Sequence, residues 1–157
     1  MERGHQLVIF TLDEQRYALP LEAVERAVRV VECTPLPKAP AIVVGMVNVQ
    51  GRIIPVLAMR KRLRLPERDI HVSDQLLIAH SSTRTVALLV DAVGGIVARS
   101  APEVIPAQKI LPGLEYVEGV VKLEDGMVVI YDLDSFLSLE EEKALDEAMK
   151  ASCEFRV

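Results

Sequence analysis

The chain of 157 residues has a formal net charge of −5, and half of its residues are apolar although only 4% are aromatic. That length fits one domain or two very small ones, and the composition predicts a core of Val, Ile and Leu. The acidic balance and the few aromatic side chains argue against nucleic-acid binding. Apolar runs are too short for a membrane span, which needs roughly 18 residues, and the polar N-terminus does not resemble a signal peptide, so we expect a cytoplasmic protein.

The first 40 residues predict short strands joined by turns. Residues 6–12 (QLVIFTL) and 16–19 flank a polar turn and predict a β-hairpin. Pro20 opens the segment LEAVERAV at 21–28, whose apolar spacing predicts a short amphipathic helix or helical turn. A strand is predicted at 28–33, and the three prolines that follow it predict a stiff, extended connector.

The stretch at 45–60, GMVNVQGRIIPVLAMR, predicts the central strand pair. Two segments rich in Val and Ile, at 41–49 and 52–60, flank a polar step. Gly51 suits a turn position with positive φ, where a Cβ would clash. Successive apolar residues in the second strand predict that both of its faces are covered. Pro55 predicts an edge, a bulge or a corner there, because proline has no N–H for the ladder.

The next third of the chain continues in the same style. Residues 61–69 are charged and predict an exposed link. Strands are predicted at 75–80 and 84–90. The segment DAVGGIVAR at 91–99 carries a Gly-Gly pair, which predicts a bulge or a close backbone approach.

The last third predicts a loop, a hairpin and a helix. The loop at 100–112 contains three prolines, and the segments 116–124 and 127–133 predict a hairpin across an Asp-Gly turn. Ser138 and Glu141 have capping-box spacing at the start of an amphipathic helix. About ten short strands, with helix only at one crossover and at the end, predict an all-β protein of two small barrels.

The residues assemble no recognisable catalytic, metal or nucleotide motif. His5, His71 and His80 lie at no ligand spacing to Cys, Asp or Glu. Cys33 and Cys153 lie in no metal-like spacing either, and we expect both to be reduced. GxSxG, HExxH and phosphate-binding glycine loops are absent from the sequence. We therefore expect no enzyme activity, no cofactor and no metal; apolar strand edges and grooves favour a protein-interaction module.

Four segments together resemble one family. GMVNVQGRIIPVLAMRKRL resembles the signature of the CheW-like family, the coupling adaptors of bacterial chemotaxis, which reads close to GVINLRGxVIPVVDLRxRL. The preceding LDEQRYALPLEAVERAVRVVECTPLPKAPAIVVG is similar to the family's opening, and VALLVDAVGGIV resembles its V-D-x-V element. GLEYVEGVVKLEDGMVVIYDLDSFLSLEEEKAL resembles its ending. The four segments stand in the family's order and cover about Gln6 to Leu145.

The resemblance implies two five-stranded SH3-like β-barrel subdomains, with the first strand contributing to the second barrel. A short helical crossover and a C-terminal α-helix complete the fold. Within one CheW-like domain over 1–157, it implies that subdomain 1 spans about 15–72. Subdomain 2 takes about 6–13 plus 73–137, and the helix about 138–150.

The resemblance also implies a function, that of a non-enzymatic scaffold in chemotaxis signal transduction. Such a scaffold joins the cytoplasmic tip of a methyl-accepting chemoreceptor to the regulatory domain of the histidine kinase CheA, at receptor arrays near the inner membrane. That kinase domain has the same fold, so the contact pairs barrel with barrel. The family's partner surface lies in and beside the groove between the barrels. By position it falls on Val24, Arg26, Gly45, Asn48, Val49, Gln50, Gly51, Asp91 and Val93.

Three positions depart from the family's pattern. Arg26 stands where the family usually has Glu, and Gln50 where it has Arg; if they face each other, the usual ion pair is gone from both ends. Losing both partners destabilises the protein less than losing one, because the loss of one would leave the other charge unpaired. Ala58 or Met59 replaces the acid of the family's V-D-L-R. These departures favour an alternative, a divergent adaptor in a non-flagellar chemosensory pathway. A small-ligand-binding or enzymatic β-barrel is a third alternative, for which the sequence offers no convergent polar cluster.

Overall fold

The structure is a computed structural model that describes residues 5–99, 104–106, 117–123 and 126–154. Short 3-10 turns at Leu21–Ala23 and Leu133–Ser135 accompany the strands and helices. No helix in these ranges is long and apolar enough to cross a membrane. In chain order the elements are β1 His5–Leu12, β2 Gln15–Pro20, β3 Val24–Arg29, β4 Val43–Val49, β5 Arg52–Ala58, α1 Met59–Arg62, β6 Gln75–His80, β7 Thr85–Val90, β8 Ala92–Arg99, β9 Val104–Pro106, β10 Val117–Leu123, β11 Gly126–Tyr131 and α2 Leu139–Glu154.

The strands form two sheets, which confirms the all-β prediction with a C-terminal helix. The six-stranded sheet has the order β8-β1-β2-β11-β10-β9, and the five-stranded sheet has the order β3-β6-β7-β5-β4. An isolated antiparallel bridge joins Thr34, in the segment after β3, to Met46 in β4. Because β3 and β4 are the two edges of the five-stranded sheet, this bridge curls the sheet towards a closed barrel.

The division of strands between the sheets differs from the predicted subdomain boundaries. The strand β2, which was assigned to 15–72, pairs with β1 and β11 in the six-stranded sheet. The strands β6 and β7, assigned to the other subdomain, pair with β3 and β5. The β1–β2 pairing has a local cause. Asp13 and Glu14 both have positive φ, which makes a tight two-residue turn and holds the two strands side by side.

The segment 21–28 was predicted as a short helix or a helical turn; the structure has the helical turn, and the rest of the segment is strand. Only Leu21–Ala23 is helical, and Val24 already has the extended angles φ −104° and ψ 128°. From Val24 the chain pairs with β6, which would otherwise have an open edge. Backbone pairing along a whole strand outweighs the weak helical periodicity of eight residues.

Two smaller elements also lie where others were predicted. The four-residue helix α1 replaces the end of the predicted strand at 52–60 and the start of the exposed link. The strand β9 lies within the predicted loop at 100–112 and pairs with β10.

Several local predictions are confirmed. In the β1–β8 pair, Ile9 faces Gly95 and Phe10 faces Val93, so Gly94 is the extra residue of a bulge. The strands β10 and β11 form the predicted hairpin, although residues 124–125 of its turn lie outside the described residues.

The edge, bulge or corner predicted at Pro55 is not found there: Pro55 pairs with Met46 inside β5, an inner strand, and the nearby bulge lies in β4 between Val43 and Gly45. The parallel β5–β7 ladder begins only at Val56, so the missing N–H of Pro55 leaves no bond of that ladder unmade.

The core has three parts and is mostly aliphatic, as predicted, although the largest part also holds four Phe and Tyr rings. The largest apolar cluster lies between the two sheets and includes Leu145 and Ala148 of α2. Each sheet also encloses a smaller cluster on its other face. Alternate residues of one strand therefore enter different clusters; in β1, Leu7 faces the interior of its own sheet and Phe10 faces the space between the sheets.

The capping box of α2 supports a prediction about stability. The Glu141 N–H donates to Ser138 Oγ at 3.1 Å, and the Ser138 N–H donates to Glu141 Oε1 at 2.9 Å. Ser138→Ala is expected to lower the free energy of unfolding by about 1 kcal/mol, because the orphan Glu141 N–H loses its acceptor. Thermal unfolding should show a lower Tm by roughly 2–4 °C. Ser82→Ala, on an exposed turn, is the matched control and should leave Tm unchanged; equal effects of the two changes would contradict the capping role.

Candidate functional site

The β4–β5 turn is a tight two-residue turn built by Gln50 and Gly51. Their φ angles are 51° and 85°, so both lie in the left-handed region, which confirms the turn role predicted for Gly51. Asn48 Oδ1 accepts a hydrogen bond from the Gly51 N–H at 2.8 Å and holds the turn closed. The tip of this hairpin is therefore internally braced.

The hairpin tip lies against β3 through two side-chain contacts. Arg26 Nη2 donates to Gln50 Oε1 at 2.8 Å, so the two positions face each other. Beside them, Arg52 Nη1 donates to Glu25 Oε2 at 2.8 Å. Residues 24–26 of β3 and 48–52 of the hairpin thus form one continuous face, which we term the hairpin-tip surface.

The two contacts differ in charge. The hydrogen bond from Arg52 lowers the pKa of Glu25, and the same bond raises the pKa of Arg52, so this pair is ionised and neutral overall. Arg26, in contrast, bonds to a neutral amide, and no carboxylate among the described residues forms an ion pair with it. Arg26 is exposed. Glu25 also attracts Arg26 electrostatically, but a single carboxylate faces the two guanidinium groups of Arg26 and Arg52, so these three side chains leave a net positive charge on the hairpin-tip surface.

Gly45 is buried and has a backbone role. A Cβ at this position would lie 2.5 Å from the carbonyl oxygen of Thr34. Backbone hydrogen bonds of 2.8 Å between Thr34 and Met46, in both directions, bring the two segments this close. Gly45 therefore lets the barrel close behind the hairpin and offers no side chain to a partner.

Asp91 lies in a cluster of charges at the junction of the two sheets. It accepts hydrogen bonds from Arg60 at 2.9 Å, from Arg68 at 2.7 Å and from the Asp13 N–H at 2.9 Å. Arg68 also pairs with the buried Asp74 at 2.8 Å. This cluster lines a cleft of about 480 Å³. The carboxylate of Asp91 is thus committed to internal partners that join the β1–β2 turn to α1.

The structure separates Asp91 and Val93 from the other predicted partner-binding residues. Arg52 Nη2 donates to Thr85 Oγ1 at the start of β7, whereas Asp91 follows the end of β7. Six residues of strand separate these ends by roughly 20 Å. Val93 is half-buried against the main core. Its N–H donates to Gln75 at the Asp91 end of the sheet. The remaining residues are brought together at the hairpin tip: Val24, Arg26, Asn48, Val49, Gln50 and Gly51.

A groove between the two sheets adjoins the hairpin-tip surface. It encloses about 350 Å³, and its lining includes Pro20, Ala23, His80 and Tyr131. Ala23 immediately precedes Val24, so the groove and the hairpin-tip surface are continuous along the chain. Four carboxylates also line it, which makes this groove acidic: Glu22, Glu118, Asp132 and Asp134.

The sequence analysis missed three residues of this region, namely Glu25, Arg52 and Thr85. Their hydrogen bonds hold the hairpin tip against β3 and β7. The sequence did indicate the place of Arg52: it directly follows Gly51, so it must lie next to the predicted turn. The position of Glu25 could not be found while 21–28 was assigned to a helix.

The Asp91 cluster predicts a pH dependence of stability. Burial raises the pKa of Asp91, but the Asp13 N–H and the guanidinium groups of Arg60 and Arg68 outweigh it and hold the pKa below its usual value. Its unfolded-state pKa, about 3.9, is thus higher than the folded one, so acid protonates the unfolded chain first. This contribution is present above about pH 4 and is lost as pH falls through the lower folded pKa.

Chemical unfolding of the native protein and of Asp91→Asn between pH 3 and 7 measures this contribution. The native protein should be more stable at neutral pH, and the difference should shrink below about pH 4. Asp69→Asn is the control, because it neutralises an exposed carboxylate in the segment between α1 and β6. A difference that stays constant down to pH 3 would contradict the ionised role of Asp91.

Comparison with known proteins identifies close relatives along most of the chain. The sequence model of the CheW-like domain matches residues 6–141. The chain is 31% identical over 143 residues to chemotaxis protein CheW from Rhizobium meliloti, covering 90% of this chain and 92% of that protein. It is 29% identical over 142 residues to chemotaxis protein CheW from Treponema pallidum, covering 87% and 84% of the two chains.

A solved structure also matches the fold. The scaffolding protein TtCheW from Thermoanaerobacter tengcongensis superposes with a TM-score of 0.79 at 26% identity, covering 88% of this chain and 96% of that chain. The similarity thus covers both sheets.

Proposed function

Because this chain belongs to the CheW-like domain family across residues 6–141, we propose that it is a non-enzymatic adaptor that couples chemoreceptors to a histidine kinase. The receptor contributes its cytoplasmic tip, and the kinase contributes the regulatory domain of a CheA-type protein. The adaptor works in the bacterial cytoplasm, at receptor arrays near the inner membrane. Curated relatives bear the name chemotaxis protein, and one relative of known structure is named a scaffolding protein.

The hairpin-tip surface carries this proposal. Intramolecular bonds from Asn48, Arg26 and Arg52 already hold its loop, so a partner meets a surface that is ordered before binding. Pre-organisation reduces the entropy lost on association. The surface combines the half-buried valines Val24 and Val49 with exposed polar groups, a mixture of apolar core and polar rim that is typical of protein interfaces.

The groove between the sheets supports the receptor as the partner at this place. This groove is concave, and it is continuous with the hairpin-tip surface through Ala23 and Val24. A helical receptor tip lying across both would bury more apolar area than the hairpin tip alone, which increases the hydrophobic driving force.

Isothermal titration calorimetry tests the proposal with two purified partners from the same cell. One is the regulatory domain of the CheA-type kinase, and the other is a fragment of the cytoplasmic tip of a methyl-accepting chemoreceptor. Kd values in the micromolar range, roughly −8 kcal/mol, are expected for both. Binding to neither partner by the folded protein would overturn the proposed function.

A further inference from the structure

We propose that Arg26 is a specificity-determining contact and that the receptor places a carboxylate of its own opposite it. The inference rests on the proposed function, because it names the chemistry of the partner at the hairpin-tip surface. It goes further in assigning a charge to that partner, an Asp or Glu flanked by apolar side chains that cover Val24 and Val49.

The first step is that the charge of Arg26 is only partly compensated within the described chain, because the one nearby carboxylate that attracts it, Glu25, is hydrogen-bonded to Arg52. Its hydrogen bond goes to the neutral Oε1 of Gln50 at 2.8 Å, and a neutral donor could make the same bond. The adjacent carboxylate of Glu25 is taken by Arg52, which bonds to it at 2.8 and 3.4 Å. One carboxylate thus serves two guanidinium groups, and Arg26 is the one without a hydrogen bond to it.

The second step is that the hairpin does not need Arg26 for its shape. The turn is closed by the bond between the Gly51 N–H and Asn48, and the hairpin is fixed to β3 by the Glu25–Arg52 pair and to β7 by Thr85. Removing the Arg26–Gln50 bond leaves these contacts in place. Arg26 is thus fixed in direction by Gln50 while it remains available to a partner.

The third step is chemical. An arginine that is already oriented loses little side-chain entropy when a carboxylate binds, and the planar guanidinium keeps further N–H donors for a two-pronged contact. Gln50 holds one nitrogen, Nη2, which leaves the other donors to the partner. A Lys or Arg of the partner at this one position would instead be repelled, so Arg26 favours an acidic residue locally, whereas the adjoining acidic groove does not.

The experiment measures receptor-tip binding by calorimetry for the native protein, Arg26→Gln, Arg26→Lys and Arg29→Gln. Arg26→Gln should weaken binding roughly tenfold, since a charge-assisted contact is lost. Arg26→Lys keeps the charge but not the two-pronged geometry, so it should recover only part of the affinity. Arg29→Gln removes the same charge from another exposed position of β3 and should change Kd less than twofold. Raising the salt concentration should weaken the native protein more than Arg26→Gln.

A double-mutant cycle identifies the partner group. Each Asp and Glu of the receptor tip is changed to its amide and measured against native protein and Arg26→Gln. One of these changes should weaken native binding yet have no further effect on Arg26→Gln. If Arg26→Gln binds as tightly as the native protein, or if no receptor carboxylate couples to it, the inference is overturned while the proposed function stands. If the native protein binds neither receptor nor kinase, both are overturned.

Discussion

Phe10→Ala is expected to lower the free energy of unfolding by about 3–5 kcal/mol, because it opens a cavity in the core between the two sheets. Phe10 is 0% exposed. It begins a row of rings in which Phe10 and Tyr17 lie 5.9 Å apart, Tyr17 and Tyr131 lie 5.5 Å apart, and Tyr131 and Phe136 lie 5.8 Å apart. In a chain with six Phe and Tyr in all, four stand in this one row.

Urea unfolding followed by far-ultraviolet circular dichroism measures the loss in free energy of unfolding. A thermal scan with the same signal should show Tm lower by roughly 6–20 °C. Met127→Ala, at a side chain that is 57% exposed on β11, is the matched control and should change stability by less than about 0.5 kcal/mol. If Phe10→Ala does not fold, Phe10→Leu should still fold with a loss of roughly 1 kcal/mol. A loss below about 1 kcal/mol for Phe10→Ala would contradict the position of this ring at the centre of the core.

The parts of the fold that the sequence predicted are those fixed by neighbouring residues. The Gln50-Gly51 turn and the Ser138–Glu141 cap each depend on residues within three positions of one another. A glycine that needs positive φ, or a serine that accepts from an N–H three residues on, acts in the same way in most folds. Strand boundaries at these places therefore agree with the structure to within a few residues.

The parts that could not be predicted depend on distant segments. The segment 24–29 pairs with β6, which lies about 50 residues later, and nothing in its own apolar spacing distinguishes this strand from a helix. The placement of β2 in the six-stranded sheet depends equally on its parallel contact with β11, near the other end of the chain. Local patterns cannot specify such pairings, because the free energy that decides them comes from long-range contacts.

The candidate site shows the same division. Positions 48–51 were assigned to the partner surface by their place in the family pattern, and they lie together because they share one turn. The contact between Arg26 and Gln50 agrees with the pairing that the family resemblance suggested. Asp91 was assigned to the same surface by position in the family, yet this chain engages it with Arg60 and Arg68. Arg68 comes from the link that was predicted only as exposed, and Arg60 from the end of a predicted strand, so no pattern in the sequence indicated these ion pairs.

Val24→Asp is expected to weaken receptor-tip binding at least thirtyfold, or by about 2 kcal/mol, if Val24 lies under the receptor. Val24 is half-buried, packs on the main core and immediately precedes the Glu25–Arg52 and Arg26–Gln50 contacts. A carboxylate there would be removed from water on binding, and it would compete with the receptor carboxylate for Arg26. Binding to the kinase regulatory domain, measured by the same calorimetry, checks that the variant is correctly folded.

The matched control is Val72→Asp, the same change at a valine that is 93% exposed. Val72 lies just before Gln75 at the start of β6, whereas Val24 pairs with Ala79 near its end, so the two sites are more than about 10 Å apart along the strand. A general effect of added negative charge would weaken binding by both variants, and a local contact would weaken binding by Val24→Asp alone.

Val24→Ala removes apolar area without adding charge and should lose only a few-fold in affinity. This variant keeps the test valid if the aspartate unfolds the barrel. Native-like receptor binding by a folded Val24→Asp would show that the receptor does not bind at the hairpin-tip surface. The inferred receptor carboxylate opposite Arg26 would then be contradicted as well.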